Sequence, residues 1–215
     1  MELIDLSHTV TDVMITYPGL PGPVITEHLT FADSRDRYEP GTEFAIGRID
    51  MVANTGTYLD TPAHRYPEGH DLSALSLHRC AIVPGVVVDC GQAIGPEAFD
   101  GLDVHDRAVL LHTGWDRHWG TEAYGDPGHP FLTEDGAQLL VDAGARLVGI
   151  DSVNIDHTGG GTRPAHSVLL AAGIPVVEHL TGLSGLPARG FTFTAVPPAV
   201  RGLATFPVRA FAAVG

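Results

Sequence analysis

Asp60 and His64 stand four residues apart in the stretch Asn54-Thr55-Gly56-Thr57-Tyr58-Leu59-Asp60-Thr61-Pro62-Ala63-His64, which joins a small-residue turn to a carboxylate and an imidazole. A carboxylate orients or receives a proton, an imidazole carries one near neutral pH, and both ligate divalent ions. Two later residues offer the same chemistry: His166, and Glu178 twelve residues beyond it. All four fall where a regular element is expected to begin or end, as does Asp151, and such places collect ligands in α/β proteins. Any one of them alone reads as a capping or turn residue. Two carboxylates and two imidazoles together read as a shared site.

The elements that must position them follow from hydrophobic patterning. Residues 3–6 start an apolar segment that could continue through Thr9-Val10 and Met14-Ile15 into a short strand, closed by the rigid Pro/Gly turn at 18–23. Phe44 to Val52 alternates apolar and polar residues, predicting a half-buried strand that runs into the 54–64 segment. The runs 81–89, 108–113 and 147–151 are continuous and rich in β-branched residues, as strands covered on both faces require. Thr133 to Gly144 reads as a capped helix with a glycine stop, Ala165 to Gly173 as a second helix, and residues 174–178 as the strand after it. The grammar is that of a mixed α/β protein.

Composition excludes several classes. At 215 residues and 44% hydrophobic content, the chain suits one domain with one substantial core. No apolar run approaches the about 18 residues of a membrane span, and Met1 to Asp5 lacks the features of a secretion signal, so a soluble cytoplasmic protein is expected. With 12 basic against 26 acidic residues the net charge is −14, which repels nucleic acid and anionic membranes; a small molecule is the expected partner. Every basic residue is an arginine, so Schiff-base and phosphate-loop lysines are absent. Cys80 and Cys90 sit in apolar contexts and read as buried thiols.

Gly56, Thr57, Asp60, Pro62 and His64 match, at the right spacing, the motif H-x-G-T-H-x-D-x-P-x-H of the metal-dependent cyclase family, which includes bacterial kynurenine formamidases and isatin hydrolases. Ile4-Asp5-Leu6-Ser7-His8, Tyr17-Pro18-Gly19, Leu111 to Trp115, Gly149 to Val153, Pro164-Ala165-His166 with Glu178, and a closing strand at 206–211 extend the resemblance over nearly the whole chain. It implies an α/β fold with a mixed sheet, related to swivelling β/β/α domains, in a homodimer or homotetramer with sites near the interface.

The resemblance also implies a ligand set, from which this chain departs. In dinuclear members the first metal takes the two early motif histidines, and here Asn54 and Tyr58 occupy those positions. The first site is therefore expected to be lost, because an amide is a weak ligand and a phenol must ionise before it competes with imidazole. Asp60, His166 and Glu178 keep every protein ligand of the second metal, for one Zn²⁺ or Mn²⁺. His64 is expected to move protons, with Asp60 beside it. Asn54 and Tyr58 are expected to donate hydrogen bonds to substrate, and Tyr17 to contact a substrate ring.

The resemblance implies hydrolysis of an amide, formamide or lactam C–N bond, as in tryptophan catabolism. Other readings stay open: a metal-free site in which Asp60 and Glu178 repel until one is protonated, serving a cyclase or dehydratase; or a small-molecule-binding protein that has lost catalysis. His70-Asp71 reads as a loop anchor, and Trp115, Trp119 and Tyr124 as packing under a loop. Asp156-His157 with Gly159 to Gly161 reads as a flexible polar loop near His166. Serine chemistry is disfavoured: Ser184 misses the nucleophile-elbow spacing, and Ser152 has no histidine close in sequence.

Overall fold

The aliphatic runs form the middle of one large sheet, in a computed structural model that describes residues 1–215. In chain order the strands are β1 (Glu2–Asp5), β2 (Val24–Leu29), β3 (Ile46–Asp50), β4 (Tyr58–Asp60), β5 (Val83–Asp89), β6 (Ala93–Ile94), β7 (Ala108–His112), β8 (Phe131–Leu132), β9 (Leu147–Ile150), β10 (Val176–Glu178), β11 (Arg189–Thr194), β12 (Thr205–Pro207) and β13 (Phe211–Val214). The helices are α1 (Phe31–Ser34), α2 (Leu77–Cys80), α3 (Glu134–Asp142) and α4 (Pro164–Ala171).

Nine strands join in the order β1-β13-β11-β5-β7-β9-β10-β4-β12. The centre, β5-β7-β9-β10, is parallel, and its flanking strands are antiparallel. Parallel strands need cover on both faces, which explains why Ala108 to Leu111 and Leu147 to Ile150 are wholly buried. One core, including Val109, Ile150, Leu140 and Leu169, lies between the sheet and α3 and α4. The other, including Leu6, Leu59, Leu110 and Phe193, fills the opposite face.

The expected helices are present for the expected reasons. Thr133 Oγ1 accepts from Gly136 N–H at 3.1 Å at the start of α3, Glu134 and Asp135 oppose the dipole of its first turn, and Gly144 ends it with φ 76°.

Three expectations need correction. No strand covers Thr9-Val10 or Met14-Ile15; the backbone there is irregular, and Val13 adopts φ 55°. The segment is tied instead to the 54–58 turn, where His8 N–H donates to Thr57 Oγ1 at 3.0 Å and Gly56 N–H to Thr16 Oγ1 at 2.8 Å. The strand expected over 44–52 is β3, but it pairs only with β2, and every one of its residues is exposed. Alternation reports amphipathicity, not which surface covers it. The closing run 206–211 is split: Phe206 and Pro207 belong to β12 against β4, whereas Phe211 opens β13 against β11.

Candidate active site

Asp60 is the last residue of β4, pinned between β10 and β12 and fully buried. The single-turn helix Pro62–His64 follows at once, with proline pre-set for its first turn. Gly69 must be glycine for that turn to sit where it does, since a Cβ there would meet the Pro62 carbonyl carbon at 2.5 Å. His64 is thereby held with its ring 5.7 Å from that of His166, on the first turns of α4. Glu178 ends β10 on the neighbouring strand.

Hydrogen bonding assigns the protons. His166 Nδ1 lies 2.7 Å from the buried carboxylate of Asp156, so that nitrogen carries the hydrogen and Nε2 presents a lone pair. The Thr205 hydroxyl donates to Asp60 Oδ1 in a very short bond, which leaves Thr205 Oγ1 to accept from His64 Nδ1 at 3.1 Å. His64 Nε2 therefore also keeps a lone pair, on a ring whose side chain is 35% exposed.

Asp60 Oδ2 and His166 Nε2 are both buried, lack any hydrogen-bond partner, and face each other at 3.7 Å. Two buried lone pairs aimed at one space, with no protein donor between them, call for a cation there. Ligand atoms of Asp60, His64 and His166 all lie within 4.8 Å of one another, a group able to hold a metal ion. Without one, a proton takes the place: burial opposes charge on His166, but Glu178, Asp156 and Asp60 raise its pKa to about 10. The two carboxylates separate. Burial, with the Asp60 charge, lifts Glu178 to about 7, whereas Asp60, against the effect of its own burial, is held low by His166 and His64.

Glu178 stands beside this group, with Oε1 3.6 Å from His166 Nε2, and each of its oxygens accepts one hydrogen bond, which leaves a second lone pair on each. Oε1 accepts from Ile155 N–H at 2.7 Å and Oε2 from the Tyr58 hydroxyl at 2.6 Å. Tyr58 is 2% exposed, and burial, aided by the Glu178 and Asp60 charges, keeps its phenol protonated. The expectation that Tyr58 donates to substrate is thus corrected: its one hydrogen is spent on Glu178. Asn54, half-buried, stands at the same phenol. Tyr17 lines a cavity of about 200 Å³ with Pro18, Val153 and Thr158, against the loop that carries Ile155 and Asp156.

Sequence reasoning missed Asp156, His179 and Thr205. Asp156 belongs to no flexible loop: its carboxylate also accepts from Ala165 and His166 N–H, at 2.6 and 3.1 Å, capping α4 from outside. His179 is buried at φ 58°, with Tyr124 Oη 2.8 Å from Nδ1 and Tyr58 Oη 3.3 Å from Nε2. Its position next to Glu178 was the available signal. Thr205, 145 residues from Asp60, carried none.

Other candidates settle as structural. Asp151 accepts from Thr113 and Gly114 N–H, at 2.8 Å each, and secures the turn after β7. Asp71 anchors a loop by accepting from Gly202 N–H at 2.7 Å. Ser152 does meet a histidine, with Oγ 3.1 Å from His129 Nδ1, but that nitrogen also faces the Pro130 carbonyl at 2.9 Å. Only an N–H satisfies a carbonyl, so His129 Nδ1 cannot deprotonate the serine. Trp119 stacks on His8 at 3.8 Å and, with Tyr124, also lines a cavity of about 550 Å³.

The sequence profile of the Cyclase family matches residues 4–157. The chain belongs to the Cyclase family. Among its curated relatives, a kynurenine formamidase of Salinibacter ruber (strain DSM 13855 / M31) is 28% identical over 213 residues, covering 98% of this chain and 96% of that protein. A kynurenine formamidase of Bacillus cytotoxicus is 26% identical over 212 residues, covering 97% and 96%. Among solved structures, isatin hydrolase A from Labrenzia aggregata, bound to benzyl benzoate, superposes with a TM-score of 0.82 at 24% identity, covering 99% of this chain and 93% of that one. That likeness establishes the Cyclase fold, a mixed α/β sheet, for this chain. No helix is long and apolar enough to cross a membrane.

Proposed function

We propose that this Cyclase-family chain is a hydrolase that cleaves the C–N bond of a small aryl formamide or lactam, using one divalent ion, zinc or manganese. The observation that carries the proposal is the pair of orphaned buried atoms, Asp60 Oδ2 and His166 Nε2. The kynurenine formamidase relatives, aligned over almost their full length, support the substrate class.

Asp60, His166 and Glu178 would hold the ion, which supplies Lewis acidity toward the substrate carbonyl when bound. His64 is assigned the proton. Its Nε2 takes a hydrogen from the attacking water and returns one to the departing nitrogen, while Thr205 keeps the ring in the tautomer this requires. Asp156 fixes His166 in the complementary tautomer. Tyr58 holds Glu178 in place.

The test is hydrolysis of N-formylkynurenine and of isatin by protein purified without chelator, with metal analysis of the same sample. Turnover of either compound, abolished by His64→Ala, together with about one ion per chain, is the expected result. No turnover of either above the His64→Ala rate would overturn the substrate class. Turnover by metal-free protein would overturn the ion.

A further inference from the structure

A second cavity, of about 540 Å³, lies along the N-terminal ends of the parallel strands and shares no residue with the candidate active site. Ser76, His78 and Arg79 line it from before β5, His105 and Asp106 from before β7, and Arg146 from before β9. Val141, Ala145, Ala172 and Ile174 supply an apolar side. Its volume falls in the range of small-molecule sites.

The charges are unevenly matched. Asp106 is the only acidic group in the lining. Arg146 pairs with it at 3.0 Å, and His105 Nδ1 stands 3.8 Å from its other oxygen. The Arg79 guanidinium lies near enough to lower the Asp106 pKa further, behind Arg146 and His105, yet forms no ion pair of its own. The lining thus holds two guanidinium groups against one carboxylate, a net positive groove on a chain whose net charge is −14.

The backbone is bent to build this arrangement. Asp106 adopts φ 56°, a conformation that non-glycine residues rarely take, and its N–H donates to Gly144 O at 2.9 Å. A Cβ on Gly144 would meet His105 Cδ2 at 2.9 Å, so glycine lets that ring lie against the groove wall.

We propose that this groove binds a small organic anion in which a carboxylate is joined to an apolar body, such as an aryl carboxylate. The carboxylate meets the guanidinium fork of Arg79, with Arg146 behind it, and the apolar body lies on Val141, Ala145, Ala172 and Ile174. A bare anion such as phosphate would use the charges and leave the apolar side idle.

The full chain is titrated calorimetrically with benzoate and with inorganic phosphate, and crystals are soaked with 4-bromobenzoate. Expected are saturable benzoate binding with a Kd on the order of 1 mM, weaker phosphate binding, and an anomalous bromine peak in the groove. Arg79→Gln, which breaks no ion pair, should weaken benzoate at least about tenfold, the worth of a charge-assisted bond. His64→Ala should leave it unchanged, separating the groove from the candidate active site. Absence of saturable binding, equal binding by Arg79→Gln, loss of binding in His64→Ala, or phosphate binding as tightly as benzoate would each overturn the proposal.

Discussion

Tyr58 Oη and Glu178 Oε2 stand 2.6 Å apart, the last link in a one-way chain of donors. Burial keeps the phenols of Tyr124 and Tyr58 protonated and drives the His179 pKa down to about 3, so the histidine between them is neutral. Tyr124 donates to His179 Nδ1, His179 Nε2–H faces Tyr58 Oη at 3.3 Å, and Tyr58 donates to Glu178. Tyr58→Phe should cost about 1–3 kcal/mol in urea unfolding, the penalty of leaving a buried carboxylate short of a partner. Tyr124→Phe, one step removed from the charge, should cost less in the same measurement.

Asp156→Asn keeps an acceptor for the N–H groups at the start of α4 but removes the charge that orients His166. Metal affinity, measured by competition with a chromogenic chelator, should fall about 10–100-fold while circular dichroism stays unchanged.

His64→Ala should lower kcat by about 10²–10⁴-fold, the usual worth of a positioned acid–base group. Added imidazole should restore part of the rate, because the ring is partly open to solvent. Thr205→Val should reproduce a fraction of this loss by freeing the tautomer of His64.

Acid should destabilise the fold through His8. Burial lowers its pKa from 6.5 to about 4, with Asp116 only partly opposing. The unfolded chain therefore binds a proton that the folded one refuses, and stability is lost as pH falls from 6.5 toward 4. The loss should be about 2–3 kcal/mol after allowance for partial exposure, and His8→Gln should flatten this part of the denaturation-midpoint profile.

The parallel centre was legible because strands buried on both faces need continuous aliphatic runs, and Leu147 to Ile150 is one. The helix α3 announced itself through Thr133 and Gly144. Asp60, His64, His166 and Glu178 were legible as an assembly because each lies at the end of an element. What stayed hidden depends on contacts across the chain. Asp156 looked like loop polarity among glycines, yet its carboxylate is fully buried on His166. The role of Tyr58 could not be read from residue type, since a phenol can face a ligand or a carboxylate equally well. The ribbon of β2 and β3 alternates like a half-buried strand, but apart from Leu29 its residues are exposed.

Thr205 reaches Asp60 from β12, the strand that also closes the outer side of β4. During synthesis, a ribosome that has delivered residues 1–200 has already made Asp60, His64, His166 and Glu178, yet not the hydroxyl that sets the first two. A nascent or prematurely terminated chain therefore carries the candidate ligands without the constraint that aligns them, and activity should emerge only when the last strands are released from the exit tunnel.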